Sequence, residues 1–380
     1  MSPRLVAFGD AHLGRAHLAH LRDEEGRSVR EEDFLRSFDW AIEETLRQEP
    51  DGFLWLGDIF DHARPSYRVF ARVLTGLQKL TDAGLRGVAI SGNHDTPRLR
   101  GTGSPYDALE RVFPSTTFAW RLEGLAADLA GVRIHAVPQT LGVEEFKAEL
   151  EAASATAGGD ATSLLIAHVA LTSLPTRDWR DMNELEVSAS DIGKRFDLVV
   201  LGHYHQHLKP SAKTWYAGST DSFGFGDRPN DKAGPKGILV VDTDAGKVQL
   251  VPNPGERPLL TRQVDAAAMG PSDLLEACRR AGDGVAAGSI VRIWLNAVDP
   301  AAYRQLAQGD FQETVPGALH VQVEPDWGAE ALAVQGGVQI GTLEAEWGSY
   351  VDQQDLAGLK RARIRELGAH FLAGARGEET

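Results

Sequence analysis

The sequence contains a single cysteine, Cys278, among its 380 residues, and no apolar run approaches the ~20 residues that cross a bilayer. One thiol cannot form an internal disulfide, and no cysteine stands near the histidine-rich motifs, so thiolate metal ligation is not expected. No basic segment with an apolar core and a cleavage site precedes the first strand-like stretch, and no P-loop for ATP is present. We therefore expect a cytoplasmic protein without a membrane anchor.

Positive charge is also scarce. The chain has 39 Lys and Arg residues against 54 Asp and Glu, a formal net charge of −15. Because phosphate binding depends on neutralisation by Lys and Arg, this balance excludes a protein that coats nucleic acid with its whole surface. Any contact with nucleic acid would be local. Carboxylates that bind metals increase the negative count until their cations are bound.

From residue 1 to about 255, short β-rich runs alternate with stretches of helical period, which is typical of a layered α/β domain. Apolar residues at helical spacing predict helices over 34–46 and 69–80. Buried strands are predicted at Arg4–Phe8, Phe53–Leu56, Val88–Ile90, Ser163–Ala167 and Asp197–Leu201.

A Pro-rich segment, VPNPGERP at 251–258, predicts a domain boundary. Residues 259–326 then show strand, helix, strand, helix and strand patterns, enough for a small α+β unit. The tail from Gly341 is expected to be helical, and its basic stretch at 360–365 is a solvated helix face or a contact with an acidic partner or DNA. We predict domains at 1–255, 256–328 and 329–380.

Five short polar motifs follow predicted strands, at the edge of the sheet where ligands gather in open α/β folds. They are Gly9-Asp10-Ala11-His12, Gly57-Asp58-Ile59-Phe60-Asp61, Gly92-Asn93-His94-Asp95, His168, and Gly202-His203-Tyr204-His205. Each motif alone is more often a hydrogen-bonded turn, but the ordered series favours a metal site.

Two Asp, one Asn and four His without a thiolate suit Mn²⁺, Fe²⁺ or Zn²⁺. Seven ligands are too many for one ion. A carboxylate that bridges two cations about 3.5 to 4 Å apart would form a dinuclear site for phosphoryl transfer.

The series resembles the calcineurin-like metallophosphoesterase superfamily over residues 4 to about 225, and the motifs Gly-Asp-Ala-His-Leu-Gly and Gly-Asp-Ile-Phe-Asp resemble the SbcD-type DNA-repair nucleases. The resemblance implies a four-layer α/β sandwich, two β-sheets flanked by helices, with a small α+β DNA-capping domain and a helical C-terminal tail. It also implies a DNA exonuclease and endonuclease with two divalent metal ions, Mn²⁺ foremost. The expected partners are DNA, an SbcC-like ATPase subunit docked on the C-terminal helices, and a second copy in a homodimer.

Carried over to this sequence, the resemblance assigns one metal to Asp10, His12 and His205, the other to Asn93, His168 and His203, with Asp58 bridging. His94 would be the catalytic residue that stabilises developing charge or protonates the leaving oxygen. Archaeal and eukaryotic relatives typically carry His at the position of Asp61. The bacterial branch resembles this sequence and carries Asp there. Asp61 would orient His94 and raise the pKa of its imidazole by direct hydrogen bonding.

Positive side chains next to these motifs are candidates for substrate contact. They are Arg15, His62, Arg64, Arg68, Arg98 and Arg100, each of which alone is more often a surface residue. His17, His20 and His207 are weaker candidates. Phe223 and Phe225 would pack in the core or stack on bases.

Two other functions stay open. A phosphodiesterase or phosphatase for nucleotides or other small molecules would use the same ligands, and the acidic net charge favours it. The extra C-terminal unit and charged tail argue against it. A non-catalytic scaffold would be expected to lack a ligand or His94, and all of these residues are present.

Overall fold

The computed structural model describes residues 2–99, 101–159, 161–174, 184–227, 234–327, 343–353 and 360–375. The chain divides into two compact units. The first comprises Met1–Arg262, Gly284–Arg292 and Pro316–Gln322, and the second comprises Gln263–Asp283, Ile293–Val315 and Val323–Thr380. The domain boundaries expected at 255/256 and 328/329 stay predictions.

The secondary-structure elements follow the sequence patterns closely. Up to residue 216 they are β1 (Arg4–Phe8), α1 (Val29–Arg47), β2 (Gly52–Leu56), α2 (Tyr67–Asp82), β3 (Gly87–Ile90), α3 (Pro105–Val112), β4 (Thr116–Ala119), β5 (Leu125–Leu129), β6 (Val132–Val137), α4 (Val143–Thr156), β7 (Ser163–His168), β8 (Ala170–Leu171), β9 (Glu186–Val187), β10 (Leu198–Gly202) and β11 (Thr214–Tyr216). After it they are β12 (Gly237–Asp242), β13 (Lys247–Pro252), β14 (Leu259–Asp265), α5 (Pro271–Ala281), β15 (Ile290–Asn296), α6 (Pro300–Tyr303), α7 (Gln308–Gln312), β16 (His320–Pro325), α8 (Leu343–Gln353) and α9 (Arg361–Ala375).

Two mixed sheets flanked by helices form the first unit, as predicted. The six-stranded sheet has the order β13-β12-β1-β2-β3-β4, and β1 to β4 run parallel. The five-stranded sheet has the order β11-β10-β7-β6-β5, in which only β5 is antiparallel to its neighbour. The parallel strands β1, β2, β3, β7 and β10 therefore end beside one another, which brings the polar motifs together.

Strand β2 shows how the layers are held. All of its residues are buried. Phe53 and Trp55 pack in the cluster formed with α1 and α2, whereas Leu54 and Leu56 pack in the cluster that joins the two sheets. A strand covered on both faces has no polar face, and this explains its continuous apolar run.

The helices begin where the sequence offers a capping side chain. Ser28 accepts a hydrogen bond from the Glu31 amide at the start of α1, and Ser66 accepts one from the Val69 amide at the start of α2. The apolar face of α1, which includes Phe34 and Phe38, is fully buried.

Strands β14, β15 and β16 form a third sheet, in that order, and α8 and α9 confirm the expected helical tail where it is described. Residues 329–342, 354–359 and 376–380 of the predicted tail domain, and residue 328 before it, lie outside the described residues. Among the helices that are described, none combines the length and the apolar character needed to cross a membrane.

Candidate metal centre

The loops that follow β1, β2 and β10 hold their polar residues in unusual backbone conformations. Asp10, His12, Asp58 and His203 have φ angles of 49°, 41°, 49° and 101°. Positive φ costs a non-glycine residue about 1–3 kcal/mol, and such strain concentrates at functional sites. Hydrogen bonds between the loops hold these conformations: the Asp10 amide donates to the Gly57 carbonyl at 3.0 Å, and the His12 amide donates to the Asp58 carbonyl at 2.9 Å.

Asp10, His12 and His205 form one buried cluster. The Nε2 atoms of His12 and His205 lie 3.1 Å apart. On the opposite side of each ring stands a carboxylate: His12 Nδ1 is 3.2 Å from Asp61 Oδ1, and His205 Nδ1 is 2.8 Å from Asp227 Oδ1. The Asp10 carboxylate accepts the His203 amide at 3.0 Å.

His168, Asn93, His203 and Asp58 form a second cluster beside it. His168 Nε2 lies 3.0 Å from Asn93 Oδ1 and 3.2 Å from Asp58 Oδ2, while its Nδ1 lies 2.7 Å from the Leu56 carbonyl. His203 Nδ1 lies 3.3 Å from the same Asn93 oxygen, and its Nε2 lies 3.0 Å from Glu184 Oε1.

These hydrogen bonds assign the ring protons. A carboxylate or a carbonyl only accepts, so the nitrogen that faces one carries the hydrogen in a neutral imidazole. In the neutral rings of His12 and His205, the opposite nitrogens, both Nε2, therefore carry the lone pairs. His168 and His203 have an oxygen acceptor beside each ring nitrogen, so each of these rings meets more acceptors than a neutral imidazole has hydrogens. The inner nitrogens of the four rings face one another, the Asn93 oxygen and the Asp58 carboxylate. Acceptors that converge without a donor require a positive charge between them, and the donor set suits a divalent cation.

The pKa values of the buried carboxylates and imidazoles in these clusters are also shifted. Burial, together with the charge of Asp58, raises the pKa of Asp10 to about 8. Burial by itself also raises the pKa of Asp58 and lowers that of His168. Their mutual attraction outweighs burial in both, so the Asp58 pKa falls below its ordinary value and that of His168 rises to about 10. Burial lowers the pKa of His12 and His203, which keeps both imidazoles neutral and able to bind a metal.

All seven predicted ligands thus come together in two adjoining clusters, and Asp58 lies between them. Its Oδ2 is 3.2 Å from His168 Nε2 and 3.7 Å from His12 Nε2. Within the part of the chain that the structure describes, Asp10, Asp58 and His168 could also share one ion. The assignment of each ligand to a particular ion stays a prediction.

His94 lies at the rim of the centre, with 22% of its side chain exposed. Its amide donates to Asp58 Oδ1 at 2.9 Å, and its Nδ1 donates to the Asp61 main-chain carbonyl at 3.1 Å. The Asp61 carboxylate is 3.6 Å away and is directed at His12 instead. The bond that orients His94 thus comes from the main chain of Asp61, and the carboxylate contributes charge.

The candidate substrate-binding residues lie in different environments around the two clusters. Arg15 lies 3.5 Å from Asp61 Oδ1 and over the ring of Phe223. His62 and Arg64 are exposed in the loop after β2, and Arg98 lines a cavity next to Asn93. Arg68 forms ion pairs with Glu31 and Glu32 of α1. Arg100 lies outside the described residues.

Four residues that the sequence reasoning left out support the centre. Glu184 and Asp227 hold His203 and His205 as described above. The Asp95 carboxylate accepts the Gly92 amide at 2.7 Å, the Ile59 amide at 3.0 Å and the Tyr106 hydroxyl at 2.9 Å, and so ties two motif loops together. The buried Lys236 donates to the His205 carbonyl. Of the four, only Asp95 belongs to one of the five polar motifs, and none has a sequence signature of its own.

Residue 92 must be glycine because a side chain at this position would clash with the ligand cluster. A Cβ atom at this position would lie 2.2 Å from Asp58 Oδ1 and 2.7 Å from His168 Cε1. The loop after β3 therefore reaches the Asp58 carboxylate only because residue 92 has no side chain.

Phe223, Phe225 and His207 have contacts within the protein. Phe223 is buried, with its ring 5.0 Å from that of His12 and 5.1 Å from that of His205, and Phe225 is buried in a small apolar cluster. His207 Nδ1 lies 2.9 Å from the Tyr216 carbonyl.

A family model described as calcineurin-like phosphoesterase matches residues 3–207. The chain is similar to the DNA double-strand break repair protein Mre11 of Aeropyrum pernix, at 28% identity over 57% of this chain and 52% of the relative. It is also similar to Mre11 of Haloferax volcanii, at 27% identity over 70% of this chain and 55% of the relative. The chain thus spans about half the length of these curated relatives. Because the family model covers more than half of the 380 residues, the chain belongs to the calcineurin-like phosphoesterase family.

Proposed function

We propose that this protein is a metal-dependent phosphodiesterase that cleaves DNA in repair, as an exonuclease and endonuclease of the SbcD type. The observation that carries the proposal is the convergence of imidazole nitrogens, an amide oxygen and carboxylates on two adjoining points, with carboxylates on the outer side of His12 and His205. Two adjoining cations are the arrangement that serves the hydrolysis of phosphate esters.

One cation would be held by Asp10, His12 and His205, the other by Asn93, His168 and His203, and Asp58 would contact both. We propose Mn²⁺, since oxygen and imidazole ligands without thiolate suit it. Bound cations would polarise the phosphate, lower the pKa of a water molecule and stabilise the leaving oxygen.

The chain's own residues supply proton transfer and positioning. Because His94 Nδ1 donates to a main-chain carbonyl, its Nε2 is the atom that exchanges a proton with substrate. A His94 imidazolium, with the Asp61 carboxylate 3.6 Å away as counter-charge, would protonate a leaving 3′ oxygen. Arg15, His62, Arg64 and Arg98 would contact the phosphate backbone. Arg68 is a weaker candidate because Glu31 and Glu32 already engage its guanidinium.

DNA as the substrate is supported by the relatives, whose names describe double-strand break repair. In the same proposal, residues 256–328 cap the DNA and the helices of 329–380 dock an SbcC-like ATPase subunit. The protein would work as a cytoplasmic homodimer. Since the chain carries no P-loop, any ATP-driven opening of duplex DNA would depend on that partner.

The test is degradation of end-labelled duplex and single-stranded DNA by the full chain, with Mn²⁺ and with a chelator. The small diester bis-p-nitrophenyl phosphate is measured in parallel. We expect cleavage of both DNA forms only with Mn²⁺, and a loss of roughly 10²–10⁴-fold in His94→Ala, as for other general acids.

Lys247→Ala is the control, because Lys247 is exposed on β13 and lies outside both clusters. It should cleave like the wild type. Hydrolysis of the small diester with DNA left intact would instead support the small-molecule phosphodiesterase.

A further inference from the structure

A small cavity opens beside the second ligand cluster. It has a volume of about 180 Å³ and is lined by Asn93, Thr96, Arg98, Gln139, Thr140 and Leu141. Asn93 is both a wall of this side cavity and a candidate metal ligand. The cavity therefore begins within one side chain of the point where a scissile phosphate would sit, and none of the functions above accounts for it.

The amide nitrogen of Asn93, Nδ2, makes no hydrogen bond within the described part of the protein. Its oxygen faces the two imidazoles, whereas its Nδ2 is buried without a hydrogen-bond partner in a residue only 5% exposed. A buried amide donor without a partner costs about 1–3 kcal/mol. Such a donor next to a cavity is expected to meet an acceptor on a ligand.

Thr96 and Thr140 present hydrogen-bond acceptors to the cavity, whereas Asn93 Nδ2 is a donor. Thr96 Oγ1 donates to Ser91 Oγ and Thr140 Oγ1 donates to the Gly142 carbonyl, both at 2.8 Å. Their hydrogens are thus engaged within the protein, and only lone pairs remain for a ligand. Lone pairs repel a phosphate oxygen but accept the N–H groups of a base edge. The cavity therefore combines donor and acceptor groups, as the edge of a nucleobase does.

The volume of the side cavity and the residues at its rim also favour a nucleobase. A cavity of about 150 Å³ holds one benzene molecule, so 180 Å³ is room for one six-membered ring. Leu141, 45% exposed, offers an apolar surface for a ring face, and the exposed Arg98 stands at the mouth, where a flanking phosphate would lie.

We propose that the side cavity is a subsite for a single unstacked nucleobase of pyrimidine size, adjacent to the phosphodiester at the metal centre. The proposal rests on the proposed function and adds a substrate feature to it. Because the cavity admits one ring, the base must leave its stack and its pair, which costs a few kcal/mol in a duplex and less at a mismatched end. Cleavage should therefore be faster at a mismatched pyrimidine end than at a paired one.

The test measures binding directly, so it does not depend on catalysis. The Mn²⁺-loaded full chain is titrated with dCMP and with 2-deoxyribose 5-phosphate, which lacks only the base. We expect dCMP to bind at least tenfold more tightly in the wild type. In Leu141→Trp, where a larger ring occupies the rim, the two dissociation constants should become equal within twofold.

Val112→Trp is the matched control, since Val112 is 55% exposed on α3 and does not line the cavity. It should keep the tenfold preference. Equal binding of the two ligands by the wild type, or an unchanged preference in Leu141→Trp, would overturn the subsite. The proposed function fails separately, if DNA stays intact under conditions in which dCMP is preferred.

Discussion

The substitution Asp227→Asn tests whether the protons assigned to the metal centre are correct. The Asp227 carboxylate accepts two hydrogen bonds at 2.8 Å, one from His205 Nδ1 and one from the Phe223 amide. The two bonds go to different oxygens, Oδ1 and Oδ2, and asparagine replaces one of these oxygens by an NH2 donor, so it cannot accept both bonds in this geometry. Either the Phe223 amide loses its acceptor, or His205 must turn its proton to Nε2.

The second outcome removes a ligand, because Nε2 is the atom that lies 3.1 Å from His12 Nε2. Loss of a carboxylate behind a metal-binding histidine typically weakens metal affinity or activity 10- to 100-fold. At 1.4 kcal/mol per tenfold, this corresponds to about 1.4–2.8 kcal/mol of binding free energy. We expect Mn²⁺ to bind Asp227→Asn 10- to 100-fold more weakly, with activity partly restored by excess Mn²⁺.

The assay is calorimetric titration of the metal-free protein with Mn²⁺, accompanied by bis-p-nitrophenyl phosphate hydrolysis over a range of Mn²⁺ concentrations. Asp191→Asn is the control, since Asp191 accepts bonds from the amide and the hydroxyl of Ser188 and belongs to neither ligand cluster. It should bind Mn²⁺ like the wild type. Unchanged affinity in Asp227→Asn would refute the proton assignment at His205.

Three other perturbations have expected outcomes. Gly92→Ala forces a methyl group onto the Asp58 carboxylate and should lower activity at least tenfold while the circular dichroism spectrum stays native. Asp33→Ala removes the nearer of the two carboxylates that face the fully buried Arg30, at 2.6 Å, and leaves Asp221 at 3.8 Å; it should lower the free energy of unfolding by about 3–5 kcal/mol, measured in urea. Burial raises the pKa of Asp33, but bonds from arginines outweigh it and hold that pKa below its ordinary value. The wild type should therefore keep this stability above about pH 4 and lose it as the pH falls through the lowered pKa, whereas the variant shows a flatter acid limb. Removal of metal by a chelator should lower the melting temperature, because a cation at 100 times its dissociation constant contributes about 2.7 kcal/mol.

Local sequence was sufficient for the elements and for the ligand set. The apolar run of β2 predicted a strand covered on both faces, and the serines at 28 and 66 provided the capping oxygens of α1 and α2. The ordered polar residues after the strands predicted a metal centre, because parallel strands end at a common edge.

The supporting residues depended on the tertiary structure. Glu184 and Asp227 contact histidines that are 19 and 22 residues away along the chain, through loops whose paths no periodic pattern specifies. The same holds for Arg68, which sequence proximity placed at the site but which α1 engages with two glutamates.

By itself, then, the sequence determined which residues can bind cations and that the strand ends would gather them, since both follow from residue chemistry and local period. Only the tertiary structure decided the direction of each imidazole proton, the close approach at Gly92 and the cavity behind Asn93. These depend on the packing of segments far apart in the chain, where differences of less than an ångström determine which atoms meet.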